Sequence, residues 1–181
     1  MLSNDSIRLR PIERGDLPFL AELANDPIVR HNVIGWDWPL SLAGQERWFD
    51  RGVESDSARR FVVESNEGAA LGLTGLWEID WHNRTAVSGI KLGGSADVRG
   101  HGYGRQALRL LMDFAFEDVG LHRLTADVLE YNQASIVLHV DKLGWTREGV
   151  SRQHVWRQGR HWDVIQLGIL RDEYLARKDL V

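Results

Sequence analysis

Ten residues constrain this chain more than any others. They read Val98-Arg99-Gly100-His101-Gly102-Tyr103-Gly104-Arg105-Gln106-Ala107. Three glycines alternate, and a helical pattern starts at once: Ala107, Leu108, Leu111, Ala115 and Val119 recur at helical spacing, and Gly120 stands where a C′ glycine belongs. Glycine lets backbone N–H groups approach an anion closely, and a new helix adds unpaired N–H groups and its positive dipole end. The segment reads as a cradle for a pyrophosphate-bearing ligand; the alternative is a glycine-rich turn before a core helix. It is not a P-loop, because Gly104 is followed by Arg105 and Gln106 rather than Lys-Ser/Thr. Nor is it the G-x-G-x-x-G dinucleotide fingerprint. Asp127 lies at about the 20-residue distance that fingerprint requires, but the loop sits mid-chain after an antiparallel-looking region.

The flanking pattern alternates strands and helices. Ile7–Arg10 reads as a strand, and Arg14-Gly15-Asp16 leads into a helix over Leu17–Asn25 with Pro18 in its first turn. Residues Asp26 to Leu40 read as irregular. Ser41 to Arg51 reads as a helix with Leu42, Gln45, Trp48 and Phe49 on one side. Phe61–Glu64 and Ala69–Asp80 form a hairpin around Asn66-Glu67-Gly68, and His82-Asn83-Arg84 turns the chain into a strand over Thr85–Leu92. After the glycine loop and its helix, Leu124, Ala126 and Val128 alternate in a strand over Arg123–Leu129. A further helix opens at Asn132-Gln133-Ala134-Ser135 and closes at Lys142-Leu143-Gly144-Trp145. Arg157 to Asp163 reads as a hairpin turn into an apolar strand, Val164–Leu170, which could pair within the sheet or at a homodimer contact. Strands cluster in the middle, which makes the class α+β.

Arg99-Gly100-His101-Gly102-Tyr103-Gly104 fits the pattern Arg/Gln-x-x-Gly-x-Gly/Ala. With these elements in this order, the chain resembles the RimJ/RimL-type branch of the GNAT acyltransferases, which includes spermidine acetyltransferases. The resemblance runs from Ile7-Arg8-Leu9-Arg10 and Asp16, through Asn83-Arg84, to Arg171-Asp172-Glu173-Tyr174. It implies one domain over residues 1–181 with a GNAT-like fold: a central, mostly antiparallel mixed sheet, splayed at the acyl-CoA site and flanked by helices. It implies acetyl-CoA as cofactor, with pantetheine between Thr85–Leu92 and Arg123–Leu129. Leu92, Gly93 and Gly94 would be backbone contacts, and Arg99, Gly100, His101, Gly102, Tyr103 and Gly104 would hold the pyrophosphate. Asn132 and Ser135 match the family's Asn-x-x-Ser, although both residue types also cap helices. Arg105 either adds charge near the phosphates or is a solvated surface arginine.

A primary amine with a pKa near ~10.4 must lose a proton before it attacks a thioester. The chain has no cysteine, which favours direct attack over an enzyme thioester. Two glutamates frequent in this branch are absent, their positions falling at Val87 and Gln106. The base candidates are then Glu78, Asp80 and His82, with Glu78 first; alternatively Glu78 simply points outward, opposite Trp77, Ile79 and Trp81. The tyrosine that serves many GNAT enzymes as general acid falls at His139 counted forward from Asn132, and at Val140 counted back from Lys142. The segment is one residue longer than the usual pattern. An unperturbed His139, with a pKa near ~6.5, would be roughly one-quarter protonated at pH 7; alternatively it is a helix histidine packed between Ile136 and Val140. Tyr131 and Tyr103 are weaker candidates. Trp36, Trp38, Asp80 and Trp81 form the expected acceptor site, with Asp37, Glu78 and Trp77 close in sequence. Aromatic faces and carboxylates suit a cationic amine; core filling is the alternative reading, above all for Trp77. Trp145 and Trp162 read as core.

The net charge of −4 and the lack of a basic run argue against a nucleic-acid partner. No apolar run approaches the ~20 residues of a membrane span, and no signal peptide is visible. Without cysteine, disulfides and thiolate zinc sites are excluded. No metal site is expected, and the expected location is the cytoplasm. The reading is an acetyl-CoA-dependent N-acetyltransferase whose acceptor is the primary amine of a small molecule: a polyamine, an amino sugar or an amino-acid derivative. A ribosomal-type protein N-terminal acetyltransferase and a non-catalytic acyl-CoA sensor are the alternatives, and the acyl group is acetyl or longer.

Overall fold

The computed structural model describes residues 2–52, 55–93, 98 and 100–178. Its frame is one eight-stranded sheet in the order β1-β2-β3-β4-β5-β6-β8-β7. The strands are β1 (Leu2–Ser3), β2 (Ile7–Arg10), β3 (Arg59–Ser65), β4 (Ala70–Asp80), β5 (Thr85–Leu92), β6 (Arg123–Leu129), β7 (Thr146–Arg157) and β8 (Arg160–Leu170). Every pairing is antiparallel except β5 with β6. This parallel pair is the one that needs a long crossover, and the glycine loop and helix α4 (Tyr103–Asp113) supply it.

The two faces of the sheet carry different layers. On one face Leu76, Ala86, Leu124 and Ala126 pack against Ala107, Leu108, Leu111 and Met112 of α4 and against Ile136 of α5 (Gln133–Val137). On the other, Val62 and Leu73 pack against α1 (Leu17–Asn25), α2 (Pro27–Asn32) and α3 (Leu42–Asp50), with Trp36 and Trp48 at the margin. The site therefore lies between two separately packed layers.

Several boundaries differ from the sequence expectations. Residues 26–40 are not irregular throughout. Asp26 accepts hydrogen bonds from the N–H groups of Ile28 and Val29, and Pro27 opens α2 behind it. The last strand starts at Arg160, not Val164, because Arg160, His161 and Trp162 still pair with Arg157, Trp156 and Val155 of β7. Val164–Leu170 pairs with β6 on one side and β7 on the other, so it is spent within the sheet and forms no exposed dimer edge. A short helix α6 (Arg171–Arg177) follows. Between Asn132 and Trp145, α5 widens into a π-turn over Leu138–Lys142. Such one-turn widenings are how a helix accepts an inserted residue.

Candidate active site

The central feature is a parting of two strands. β5 stays paired to β4 along its length, from Asp80↔Thr85 to Gly72↔Leu92. It pairs with β6 only at Thr85↔Arg123, Ala86↔Leu124 and Val87↔Thr125. β6 nevertheless continues along β8 to Leu129↔Val164. Beyond Val87 and Thr125 the inner edges of Ser88–Leu92 and Ala126–Leu129 face a gap. Alternate backbone N–H and C=O groups of a strand point to each side, so both edges offer polar groups to whatever fills it.

The glycine loop closes one end of the gap. Gly100 and Gly102 have φ of +81° and +76°, and Gly102 is the residue at which α4 begins. An L side chain disfavours that conformation by roughly 1–2 kcal/mol. Gly104 matters for space instead. A Cβ there would lie 3.4 Å from Leu138 Cδ2 and 3.5 Å from Leu92 Cδ1. Gly104 thus brings the N-terminus of α4 against the end of β5 and against the widened turn of α5. His101 and Tyr103 stack at 5.6 Å, Leu92 packs on the core, and the Gly93 N–H bonds the Leu71 carbonyl. Arg105 is exposed. Gly94 and Arg99, expected to hold the cofactor, lie outside the described residues.

The other flank is the start of α5. Asn132 Oδ1 accepts the Ser135 N–H at 3.2 Å, so Asn132 does cap the helix, and its Nδ2 reaches the Asn32 carbonyl at 3.4 Å. His139 is buried, with 2% of its surface exposed. Its Nδ1–H donates to the Ser135 carbonyl at 2.8 Å, and the Ser135 hydroxyl is 3.4 Å from the same nitrogen. That bond fixes the tautomer and leaves a lone pair on Nε2, which has no partner. Burial pushes the imidazole below its ordinary value, outweighing the Ser135 bond. At pH 7 the ring is therefore charged to less than the one-quarter of an unperturbed imidazole, and it packs edge-on to Trp145 at 5.0 Å. Among the described residues two more buried polar atoms lack partners: Trp145 Nε1 and Ser88 Oγ. Ser88 is the first residue of β5 beyond the parallel ladder.

The acceptor set expected from sequence divides. Trp36, Asp37 and Trp38 come together in a cleft of about 700 Å³, between α2 and the β7–β8 hairpin tip with its Trp156 and Arg157. Asp80 and Trp81 do not join them. The Asp80 carboxylate accepts the Asn83 N–H and side-chain amide at 2.9 and 2.7 Å, closing the β4–β5 turn. Trp81 donates its indole N–H to the Asp56 carbonyl. Glu78 is exposed at φ +50°, in the bulge between Trp77 and Asp80, and β5 separates its strand from the gap. Among the described residues there is no cluster of His, Asp and Glu able to hold a metal ion, and no helix is long and apolar enough to cross a membrane.

Two residues that sequence reasoning missed organise this side. Arg157 donates to the carbonyls of Arg30, His31 and Val33 at 2.8, 2.6 and 3.0 Å and to Asp37 Oδ1 at 2.7 Å. It thereby ties the hairpin tip to the C-terminal end of α2. Lys91 places its ammonium 4.1 Å from the Trp77 ring centre and 5.5 Å from that of Trp36. Burial, reinforced by the charge of Arg60, pushes its amine down to about 8. At the opposite margin His31 stacks on Tyr131 at 4.5 Å, just past the end of β6. The segment from α2 to Trp38 thus spans the gap from the β6 end to β5.

Comparison with known proteins agrees with this geometry. The family described as an acetyltransferase (GNAT) domain matches residues 6–146, and the chain belongs to that family. A spermidine N(1)-acetyltransferase of Escherichia coli K12 is 31% identical over 176 residues, covering 97% of this chain and 92% of that protein. One from Vibrio cholerae serotype O1 is 29% identical over 178 residues, covering 97% and 99%. The crystal structure of spermidine N-acetyltransferase from Vibrio cholerae in complex with CoA and spermine superposes with a TM-score of 0.86 at 29% identity, covering 95% of this chain and 99% of that one. The sheet order, the parted strands and the fold class are those of a GNAT N-acetyltransferase.

Proposed function

We propose that residues 1–181 act as one acetyl-CoA-dependent N-acetyltransferase domain, modifying the primary amine of a small molecule in the cytoplasm. The observation that carries this is the parting of β5 from β6 with the glycine-rich start of α4 at its end. The edges Ser88–Leu92 and Ala126–Leu129 suit the two amides of pantetheine, as an added strand would be held. The N–H groups around Gly102 suit its pyrophosphate. Bound there, the thioester supplies an activated acetyl carbon, which the amine attacks directly.

The chain's own groups then divide the work. The Ser88 hydroxyl, buried and unpartnered at the root of the gap, is available to a carbonyl oxygen that gains negative charge. His139 presents a lone pair rather than a proton, so its role is to accept a proton, not to give one. Glu78, exposed on its bulge, is the solvent-side alternative for that step. Trp36 and Trp38 border the acceptor cleft. The relatives named for spermidine make polyamines the first acceptors to try, beside amino sugars and amino-acid derivatives.

The test is colorimetric release of free thiol from acetyl-CoA against such a panel. Amine-dependent release, lost in Gly104→Trp, is the expected result. No release with any amine, together with no rise in Tm on adding acetyl-CoA, would overturn the proposal.

A further inference from the structure

The acceptor side rests on a helix too short to hold itself. α2 has six residues and buries one side chain, Val29; a helix of that length is not stable alone in water. The carbonyls at its C-terminal end have no partners within the helix. Side chains from two other segments take them. Arg157 of β7 donates to the carbonyls of Arg30, His31 and Val33. The Tyr131 hydroxyl donates to the His31 carbonyl, and the Asn132 amide reaches the Asn32 carbonyl at 3.4 Å.

Tyr131 is the pivot of these ties. Its ring stacks on His31 at 4.5 Å and meets Trp162 edge-on at 4.6 Å. The Trp162 indole N–H donates to the Arg157 carbonyl at 3.0 Å. Tyr131, Trp162, Arg157 and His31 thus close a ring of contacts, and the His31 carbonyl uses both of its lone pairs in it. Tyr131 also stands two residues beyond Leu129, where the β6 edge of the gap ends. A tight turn joins them: the Glu130 N–H donates to the Asp163 carbonyl at 3.1 Å and the Asn132 N–H to the Leu129 carbonyl at 2.8 Å. A ligand that steadies the β6 edge therefore steadies this turn, and α2 with it. His31 of α2, and Trp36 and Trp38 just beyond it, line the acceptor cleft.

We propose that Tyr131 is a positioning residue that couples the two substrate sites: coenzyme A seated along Ala126–Leu129 steadies the turn after β6, and Tyr131 passes this to α2, so that the cleft binds its amine more tightly once the cofactor is in place. This rests on the acetyltransferase reading above and adds the regulation of that same site. α2 is the element with two states, docked on Tyr131 or loosened, and both substrates favour the docked one. The coupling is reciprocal, so a bound amine tightens cofactor binding by the same factor.

Hydrogen exchange over residues 27–38 tests it, with and without coenzyme A, in wild type and in Tyr131→Phe, which removes the hydroxyl and keeps the stacked ring. In wild type coenzyme A should slow exchange over 27–38 by about threefold or more, alongside Ser88–Gly93. In Tyr131→Phe, residues 27–38 should exchange equally with and without coenzyme A, while Ser88–Gly93 is protected as in wild type. In thiol release with spermidine, or the fastest amine of the panel, the variant should raise the amine KM by about three- to tenfold, as loss of one hydrogen bond does. Its kcat and its KM for acetyl-CoA should stay within about twofold of wild type. Exchange over 27–38 indifferent to coenzyme A in wild type, equal slowing in the variant, or an unchanged amine KM overturns the coupling alone. Absence of protection by coenzyme A anywhere in the chain overturns the acetyltransferase reading itself.

Discussion

Replacing Lys91 with methionine should stabilise the protein at neutral pH and do so less as the pH rises. The Lys91 amine is held at about 8 against an ordinary 10.5, first because burial strips water from it and second because Arg60 adds like charge. A depression of that size puts a penalty of about 3 kcal/mol on the charged form, at about 1.36 kcal/mol per pH unit. The cation–π contact with Trp77 at 4.1 Å returns about 1 kcal/mol. Methionine keeps the apolar stem, which leaves a net gain of about 2 kcal/mol at pH 7. The sign follows from which state holds the proton. Below about 8 both states are charged and the folded protein bears the whole penalty. Between about 8 and 10.5 the folded state sheds its proton first and the penalty shrinks, and above 10.5 it is gone. Urea denaturation of wild type and Lys91→Met at pH 7 and pH 10 should therefore show the gain falling to under about 1 kcal/mol. A variant less stable than wild type at pH 7, or a gain equal at both pH values, would refute the burial argument.

Three further predictions concern the site. Gly104→Ala should cost less than about 1 kcal/mol, because a Cβ at 3.4 Å from Leu138 needs only a small shift, whereas Gly104→Trp should remove acetyl-CoA binding in titration calorimetry; unchanged affinity would dismiss the loop as a phosphate cradle. His139→Phe should lower kcat by about 10²-fold or more with acetyl-CoA affinity kept, and the acidic limb of the wild-type pH–rate profile should fall below 6.5, since burial lowers this imidazole; a limb above 6.5 would contradict that assignment. Arg157→Ala removes a nearly buried guanidinium from three carbonyls and Asp37. It should cost about 2–3 kcal/mol and raise the KM for the amine far more than that for acetyl-CoA; an unchanged amine KM would detach α2 from the acceptor site.

The parts of the fold that announce themselves in sequence are those where local pattern and tertiary role coincide. β5 and β6 have the boundaries expected from alternation, Thr85–Leu92 and Arg123–Leu129. The glycine turn into α4 is legible because glycine spacing reports directly where the backbone takes positive φ, as it does at Gly100 and Gly102. α2 is not, because six residues are too few to show an apolar period, and Asp26-Pro27 reads equally as a turn. Residues 160–162 look like part of the turn that Gln158-Gly159 opens, yet pairing with β7 extends the strand through them. Asp80 and Trp81 share a sequence neighbourhood with Trp77, but Asp80 is committed to the turn at Asn83 and Trp81 to the distant Asp56 carbonyl. Lys91 is invisible from its neighbours, since Trp36, Arg60 and Trp77 reach it from three other segments. A lysine in a strand ordinarily signals solvent.

The most direct test of the central claim is hydrogen exchange followed by mass spectrometry, with and without acetyl-CoA. If the cofactor fills the gap between β5 and β6, protection should rise in peptides covering Ser88–Gly93, Ala126–Leu129 and Gly100–Gln106. The β7–β8 hairpin tip should be unchanged until an amine is added. Exchange unaltered in all three segments at saturating acetyl-CoA, or protection confined to other parts of the chain, would contradict the account.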